Sequence, residues 1–299
     1  MPEEKLILRI EELWDTTLEN IQKRTGKPEI AITTLPKLSH HLFGLKKKEF
    51  TVLAGRPSNG KSSLALQLAY DVAKQGFKVY FFSREMSEES LIERLFCNLA
   101  MVDNRDMLYK PHEFKEKFTQ FRELIKDIDL VITDKIGVDI VDLYQAIEDL
   151  PQADMIVLDY IQTVRGFGKR REVLDDYIYK FKEICNAKNM VGLMVSQINR
   201  GGEMNEGKLP QLYQLKETGS LEEAADNAIL VFWKHFYDSE SPMNDYDVII
   251  AKQRNGATGR IKIKYFPQHY RFEEEVFNNP DLTKAQETFG GQFVERTGE

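Results

Sequence analysis

Residues 55–62 read Gly55-Arg56-Pro57-Ser58-Asn59-Gly60-Lys61-Ser62, a full G-x-x-x-x-G-K-[ST] pattern. An apolar run, Phe50–Ala54, precedes it, and an amphipathic run, Leu64–Lys74, follows it. That order dictates local geometry. A strand ends, glycines let the backbone turn around phosphate oxygens, and a helix opening at Lys61 aims unpaired N–H groups at them. The pattern predicts a strand–loop–helix unit that binds a nucleoside triphosphate. Residues Gly55 through Ser63 are expected to line the phosphates, with Lys61 reaching the β- and γ-phosphates and the Ser62 hydroxyl ligating Mg²⁺. The plainer alternative is a strand–turn–helix connection without a ligand.

From Lys47 onward, short apolar runs alternate with longer helical ones, the signature of an α/β fold with a mainly parallel, twisted sheet covered by helices on both faces. Strands are predicted at Phe50–Ala54, Val79–Phe82, Leu130–Thr133, Met155–Leu158, Val191–Val195 and Ala228–Trp233. Helices are predicted at Leu64–Lys74, Glu88–Met101, Glu113–Lys126, Asp139–Asp149 and Leu174–Lys188. Asp247–Lys252 and Arg260–Phe266, flanking Asn255-Gly256-Ala257-Thr258-Gly259, read as a C-terminal antiparallel hairpin. Ahead of this body, Leu6, Ile10, Trp14, Leu18 and Ile21 recur at steps of three and four, the stripe of an amphipathic helix over residues 1–24. Gly26, Pro28 and Pro36 mark residues 25–39 as a linker. The nucleotide domain is expected over 40–275, and the polar residues 276–299 as a mobile tail.

Composition removes several classes. Of 299 residues, 42% are hydrophobic and 30% charged, ordinary for a soluble protein. No run of eighteen apolar residues occurs and the first residues are acidic, so neither a membrane span nor a signal peptide is expected, and the location is expected to be cytoplasmic. Cys97 and Cys185 are far apart within apolar helical patterns, which excludes a disulfide framework or zinc site and predicts two core residues. A net charge of −7 opposes a uniformly basic nucleic-acid binder, while leaving room for a basic lining inside an acidic exterior.

Triphosphate hydrolysis also needs a carboxylate to orient the metal and a group to activate water, both at the carboxyl ends of strands near the loop. Met155–Leu158 ends in Asp159, which places an acid beside Ser62. Glu85 follows the strand Val79–Phe82 as a candidate base, although an acid before a helix is also favoured electrostatically. Gln197, at the end of Val191–Val195, offers an amide to a γ-phosphate. Lys252 and Arg254 sit at i, i+2, where two cations repel unless an anion joins them. In a ring they would reach a neighbour's γ-phosphate; as a strand edge they would simply discourage aggregation.

Taken together these segments resemble the carboxyl-terminal motor domain of the DnaB-like replicative helicases, over roughly residues 30–273. The resemblance rests on the phosphate loop, on Ser83-Arg84-Glu85-Met86-Ser87, on Val157-Leu158-Asp159-Tyr160-Ile161-Gln162 and on Ser196-Gln197-Ile198-Asn199-Arg200. Residues Leu215–Glu222 with Ala225 and Asp226, and Ala251–Gly256 with Gly259, complete it. It implies a RecA-like P-loop fold, a homo-hexameric ring, ATP and Mg²⁺ as cofactors, and 5′ to 3′ translocation on single-stranded DNA. Glu85 would be the catalytic base, Gln197 the γ-phosphate sensor, Arg94 an arginine near the nucleotide, and Lys252 with Arg254 the cations donated between subunits. The amphipathic helix would be the linker helix that docks on a neighbouring motor. DNA contacts would come from Lys169, Arg170 and Arg171 in one loop, and from Arg200, Lys216, Glu217 and Gly219 in a second.

Two positions depart from the family pattern. Ser62 stands where Thr is usual, keeping the hydroxyl, and Arg84 stands where an apolar residue is usual, altering the setting of Glu85. The family's amino-terminal primase-binding domain has no counterpart in this sequence, so primase, a loader or a separate collar protein are the expected partners. A RecA- or radA-like recombination ATPase, and a nucleotide-switched scaffold without unwinding activity, remain the alternative readings.

Overall fold

The structure, a computed structural model, describes residues 10–22, 28–135, 145–159, 170–198, 209–215 and 219–274. Its centre is β1 (Phe50–Gly55), whose six residues are all buried. Such a strand must be covered on both faces, and alternation decides what meets each: Leu53 joins the core cluster on one side, while Phe50, Val52 and Ala54 join the cluster on the other.

Eight further strands complete one sheet: β2 (Val79–Ser83), β3 (Leu130–Thr133), β4 (Met155–Asp159), β5 (Val191–Gln197), β6 (Asn227–Trp233), β7 (Asp245–Gln253), β8 (Gly259–Phe266) and β9 (Arg271–Glu273). Their order is β3-β2-β4-β5-β1-β6-β7-β8-β9. The pairs from β3 to β6 are parallel. Those from β6 to β9 are antiparallel. The expected parallel sheet and C-terminal hairpin are both present; β9 was not foreseen, its three residues being too short for a periodic signal.

The helices are α1 (Ile10–Gln22), α2 (Pro36–Leu42), α3 (Lys61–Lys74), α4 (Glu88–Ala100), α5 (Asn104–Tyr109), α6 (Lys115–Ile125), α7 (Arg170–Ala187) and α8 (Gly219–Ala224). Leu64, Leu66, Leu68 and Val72 of α3 fill one cluster, and Leu174, Tyr177, Ile178 and Phe181 of α7 fill the other. The sheet is therefore sandwiched. Cys97 and Cys185 are buried as expected, and burial pushes their thiols up to about 11 and about 12, which leaves both inert. Of the predicted helix Asp139–Asp149, residues 145–148 are helical and 139–144 lie outside the described residues. The predicted Glu113–Lys126 resolves into a 3₁₀ turn, Pro111–Phe114, followed by α6. Among the described residues no helix is long and apolar enough to cross a membrane.

The segment read as a linker needs correction. Residues 28–39 do not run free: Ile30, Ile32, Leu35 and Leu38 are 0–1% exposed and belong to the main cluster. Ile30 bridges Leu45, and the Thr34 N–H donates to the buried carboxylate of Asp71 at 3.1 Å. Pro28 and Pro36 suggested a spacer, but prolines also suit a tight path over a core and the first turn of α2. Helix α1 keeps an uncovered apolar side, with Ile10 82% and Trp14 55% exposed. Residues 1–9 and 23–27, and the tail from 275, lie outside the described residues.

Candidate nucleotide site

The phosphate loop joins β1 to α3 as the pattern requires. Ser58 and Gly60 adopt positive φ (61° and 76°), so successive N–H groups turn toward one concave side. Gly55 and Gly60 are needed for space as well. A Cβ on Gly55 would stand 2.6 Å from Val231 Cγ2, and one on Gly60 3.0 Å from Phe272 Cζ.

Asn59, fully buried, is the loop's anchor. Its Oδ1 accepts from the Trp233 N–H at 2.9 Å, its Nδ2 donates to Pro57 O and the Tyr237 hydroxyl at 3.1 Å each, and its carbonyl accepts from the Tyr246 hydroxyl. The Arg56 guanidinium lies 5.3 Å from the Tyr237 ring centroid. These bonds tie the loop to β6 and β7, so its shape does not wait for a ligand. Pro57 and Ser58 are exposed at its tip.

Lys61 is buried, and its Nζ donates to the Arg56 carbonyl at 2.9 Å. Burial lowers its pKa, with Glu85 and then Asp159 pulling the other way. A phosphate oxygen accepting from this ammonium would offset its desolvation. Arg94, on α4, donates to Ser63 Oγ at 3.2 Å and stacks over Tyr270 at 4.7 Å.

Register brings the remaining groups together. Ser83 pairs with Asp159 and Gly55 with Gln197, so the ends of β2, β4, β5 and β1 form one rim. The Arg84 N–H donates to the Asp159 carbonyl at 2.5 Å, and Ser83 Oγ ties down the Met86 backbone at 2.6 and 3.0 Å, which holds the turn bearing exposed Glu85. Asp159 is 0% exposed, and neither carboxylate oxygen has a well-formed hydrogen-bond partner. Burial raises its pKa to about 6; the nearby Ser62 hydroxyl holds it down in part, Glu85 raises it, and Lys61 and Arg94 lower it. Two buried, unsatisfied oxygens beside a hydroxyl are costly unless a cation or its water completes them. One carboxylate and one hydroxyl side by side are oxygen donors that suit Mg²⁺ completed by water and substrate phosphate.

One prediction follows from the sign of this shift. A carboxyl raised from 3.8 to about 6 lends stability that is fully present below pH 3.8 and is lost as pH rises through 6. Asp159→Asn, which cannot ionise, should therefore melt higher than wild type at pH 8 in nucleotide-free protein, by roughly 2–3 kcal/mol of stability, and match it near pH 4. Equal melting curves at pH 8 would refute the burial argument.

Lys252 and Arg254 are elsewhere. Lys252 lies opposite Ala228, and Arg254 follows directly on Gln253, which pairs with Asn227 at the amino end of β6, beside the start of β1. Lys252 Nζ donates to the carbonyls of Glu222 and Glu223 at 2.5 and 3.2 Å. Arg254, its side chain 68% exposed, pairs with Asp226 at 3.0 Å. Asp226 also accepts from the Phe50 N–H at 2.9 Å and from Lys182 at 3.1 Å. Burial alone would raise the Asp226 carboxyl, but the bonds from Phe50, Arg254 and Lys182 hold it below the ordinary range. Burial, then Lys182, depress the Lys252 ammonium. Lys182, Lys252 and Arg254 thus gather around Asp226, with Glu222 also acting on Lys252. The roles of Asn59, Lys182 and the pairing of Asp226 were not apparent in the sequence; Lys182 is one of two lysines on its helix, and nothing local distinguishes it from Lys180.

Among the residues expected to contact DNA, Lys169, Arg200, Lys216 and Glu217 lie outside the described residues. Arg170 and Arg171 open α7, and Gly219 opens α8.

A family model described as the DnaB-like helicase C terminal domain matches residues 31–274. The replicative DNA helicase DnaC of Bacillus subtilis is 27% identical over 266 residues, covering 85% of this chain and 59% of that protein. The replicative DNA helicase DnaB of Leifsonia xyli is 31% identical over 261 residues, covering 84% and 56%. The chain thus spans less than two thirds of the length of these relatives. A DnaB-like replicative helicase solved in a study of its interactions with primase superposes with a TM-score of 0.82 at 24% identity, covering 90% of this chain and 69% of that one. A second solved structure, an isolated ATPase domain, superposes at 0.81 and 24%, covering 90% and 99%. With the phosphate loop, the strand-end carboxylate and the C-terminal hairpin in their expected order, the chain belongs to the DnaB-like helicase C-terminal domain family.

Proposed function

We propose that this chain is the ATP-hydrolysing motor of a replicative DNA helicase, acting in the cytoplasm as a homo-hexamer that translocates 5′ to 3′ on single-stranded DNA. One observation carries the reading. The phosphate loop stands at the carboxyl end of β1, whereas Lys252 and Arg254 stand at its amino end, Lys252 held by the Glu222 and Glu223 carbonyls and Arg254 by Asp226 with its side chain 68% exposed. Cations at the far pole of a strand cannot serve their own triphosphate. They fit that of a second copy, the geometry of an arginine finger given in trans.

In this reading Gly55 through Ser63 cradle the phosphates, with Lys61 neutralising their charge. Ser62 and Asp159 hold Mg²⁺, which would supply Lewis-acid stabilisation when bound. Glu85 accepts the proton of the attacking water, and Gln197, beside Gly55, senses the γ-phosphate. The uncovered apolar side of α1 docks on the neighbouring motor and helps close the ring. Lys169, Arg170, Arg171, Arg200, Lys216, Glu217 and Gly219 are the residues proposed to bind DNA, by analogy with the family. Primase, a loader or a collar protein are proposed partners by analogy with the family.

The test is ATP turnover with and without single-stranded DNA, followed by strand displacement from forked duplexes. Expected are DNA-stimulated hydrolysis and displacement from a 5′-tailed fork only. Turnover indifferent to DNA would favour the scaffold reading, and stimulated turnover without displacement a recombination ATPase.

A further inference from the structure

The turn after β7, which carries Arg254, is folded around its own neighbour: a Cβ on Gly256 would lie 2.6 Å from the Gln253 amide nitrogen. That amide donates to the His41 carbonyl at 3.0 Å. The His41 ring closes the loop from the other side, with Nε2 at 2.9 Å from the Ala257 carbonyl. A carbonyl can only accept, so in this contact Nε2 carries the proton. Gly259 is pressed against the same ring; a Cβ there would stand 2.6 Å from His41 Cε1. The imidazole thus holds the β8 side of the turn, at Ala257 and Gly259, while the His41 carbonyl holds its β7 end at Gln253.

His41 itself stands on a fixed support. In α2, Leu38 and Leu42 are buried in the main core, and the Glu274 carboxylate accepts from the first N–H groups, Lys37 at 2.5 Å and Leu38 at 2.9 Å. On the opposite flank the turn is held by Asn255 Nδ2 donating to Glu49 at 2.8 Å and by the Arg254 N–H donating to the Asp226 carbonyl at 2.8 Å. The flank toward β1 is thus secured by residues next to the strand, and the outer flank by His41.

We infer that His41 is a positioning residue for Lys252 and Arg254: it touches neither cation, and acts by fixing the turn that aims them at a neighbouring copy's triphosphate. The inference rests on the trans-cation reading above. Charge stabilisation of a transferring phosphoryl group tolerates displacement of only about half an ångström, so loosening the turn should slow chemistry more than binding. It also makes α2, the next helix in the described chain after α1, the element through which the amino-terminal segment meets the cations.

The experiment measures DNA-stimulated Mg-ATP hydrolysis and melting temperature for wild type, H41A, H41Q and R254A, each in the full chain. For H41A, kcat should fall roughly 10- to 100-fold while KM for ATP stays within about twofold, because the phosphate loop lies at the other pole of β1. H41Q, whose amide nitrogen can replace Nε2–H, should recover kcat to within about threefold of wild type. An H41A kcat equal to wild type, alongside an R254A that is inactive, would overturn the role of His41 alone. Equal losses in H41A and H41Q with matching falls in melting temperature would reduce His41 to fold support and likewise overturn it. R254A with wild-type kcat would instead remove the trans-cation reading, and this inference with it.

Discussion

Replacing Lys61 with Ala should eliminate ATP turnover while leaving a folded protein. Deletion of a preorganised charge at a phosphoryl-transfer site costs at least about 10²–10³ in kcat, and here the same group also holds the ground-state phosphates. Stability should not suffer. Lys61 is buried with a depressed pKa, its Nζ donating to the loop's own Arg56 carbonyl. Removing a desolvated ammonium relieves a cost, and the loop keeps its anchors through Asn59. Nucleotide binding followed by calorimetry, beside a thermal melt, checks both parts. A K61A protein that hydrolyses ATP at the wild-type rate would remove the proposed site.

Replacing Arg254 with Ala should lower kcat by about 10³-fold or more, the range associated with loss of an arginine finger. The fold should persist, because Asp226 retains its bonds from Phe50 and Lys182, and an ion pair with an arginine 68% exposed contributes little. The decisive measurement mixes two variants. R254A keeps a working phosphate loop and K61A keeps working cations, so a site built between the two is complete. Turnover recovered on mixing, from proteins each inactive alone, is expected. A mixture as inactive as its components would count against donation between copies.

Legibility in the sequence followed the range of the interactions. The strand–loop–helix unit, the strand-end positions of Asp159 and Gln197, and the hairpin were readable because each depends on neighbours a few residues away: a strand end, a glycine turn, a run of apolar side chains. The packing of Ile30, Ile32 and Leu35 was not, since proline and glycine nearby mimic a spacer and only the far-off α3 and β7 reveal the burial. The same holds for Glu274, which caps α2 from the other end of the chain, and for Asn59, read as one more loop residue although four bonds, most of them to distant elements, make it the anchor. His41 carried no signal at all: its contacts are to a turn more than two hundred positions downstream, where Gly259 is readable as part of a hairpin and of the family motif but not as the partner of a histidine.

Strand β1 is six residues long, which sets its two poles roughly 17–20 Å apart. Under the trans reading, catalysis and attachment then become one event. A copy adrift in dilute solution has a fuel inlet and an igniter that can never meet, and head-to-tail contact supplies each with its complement. Turnover per chain should therefore rise with protein concentration and level off once rings have closed, a safeguard against idling that needs no separate inhibitor.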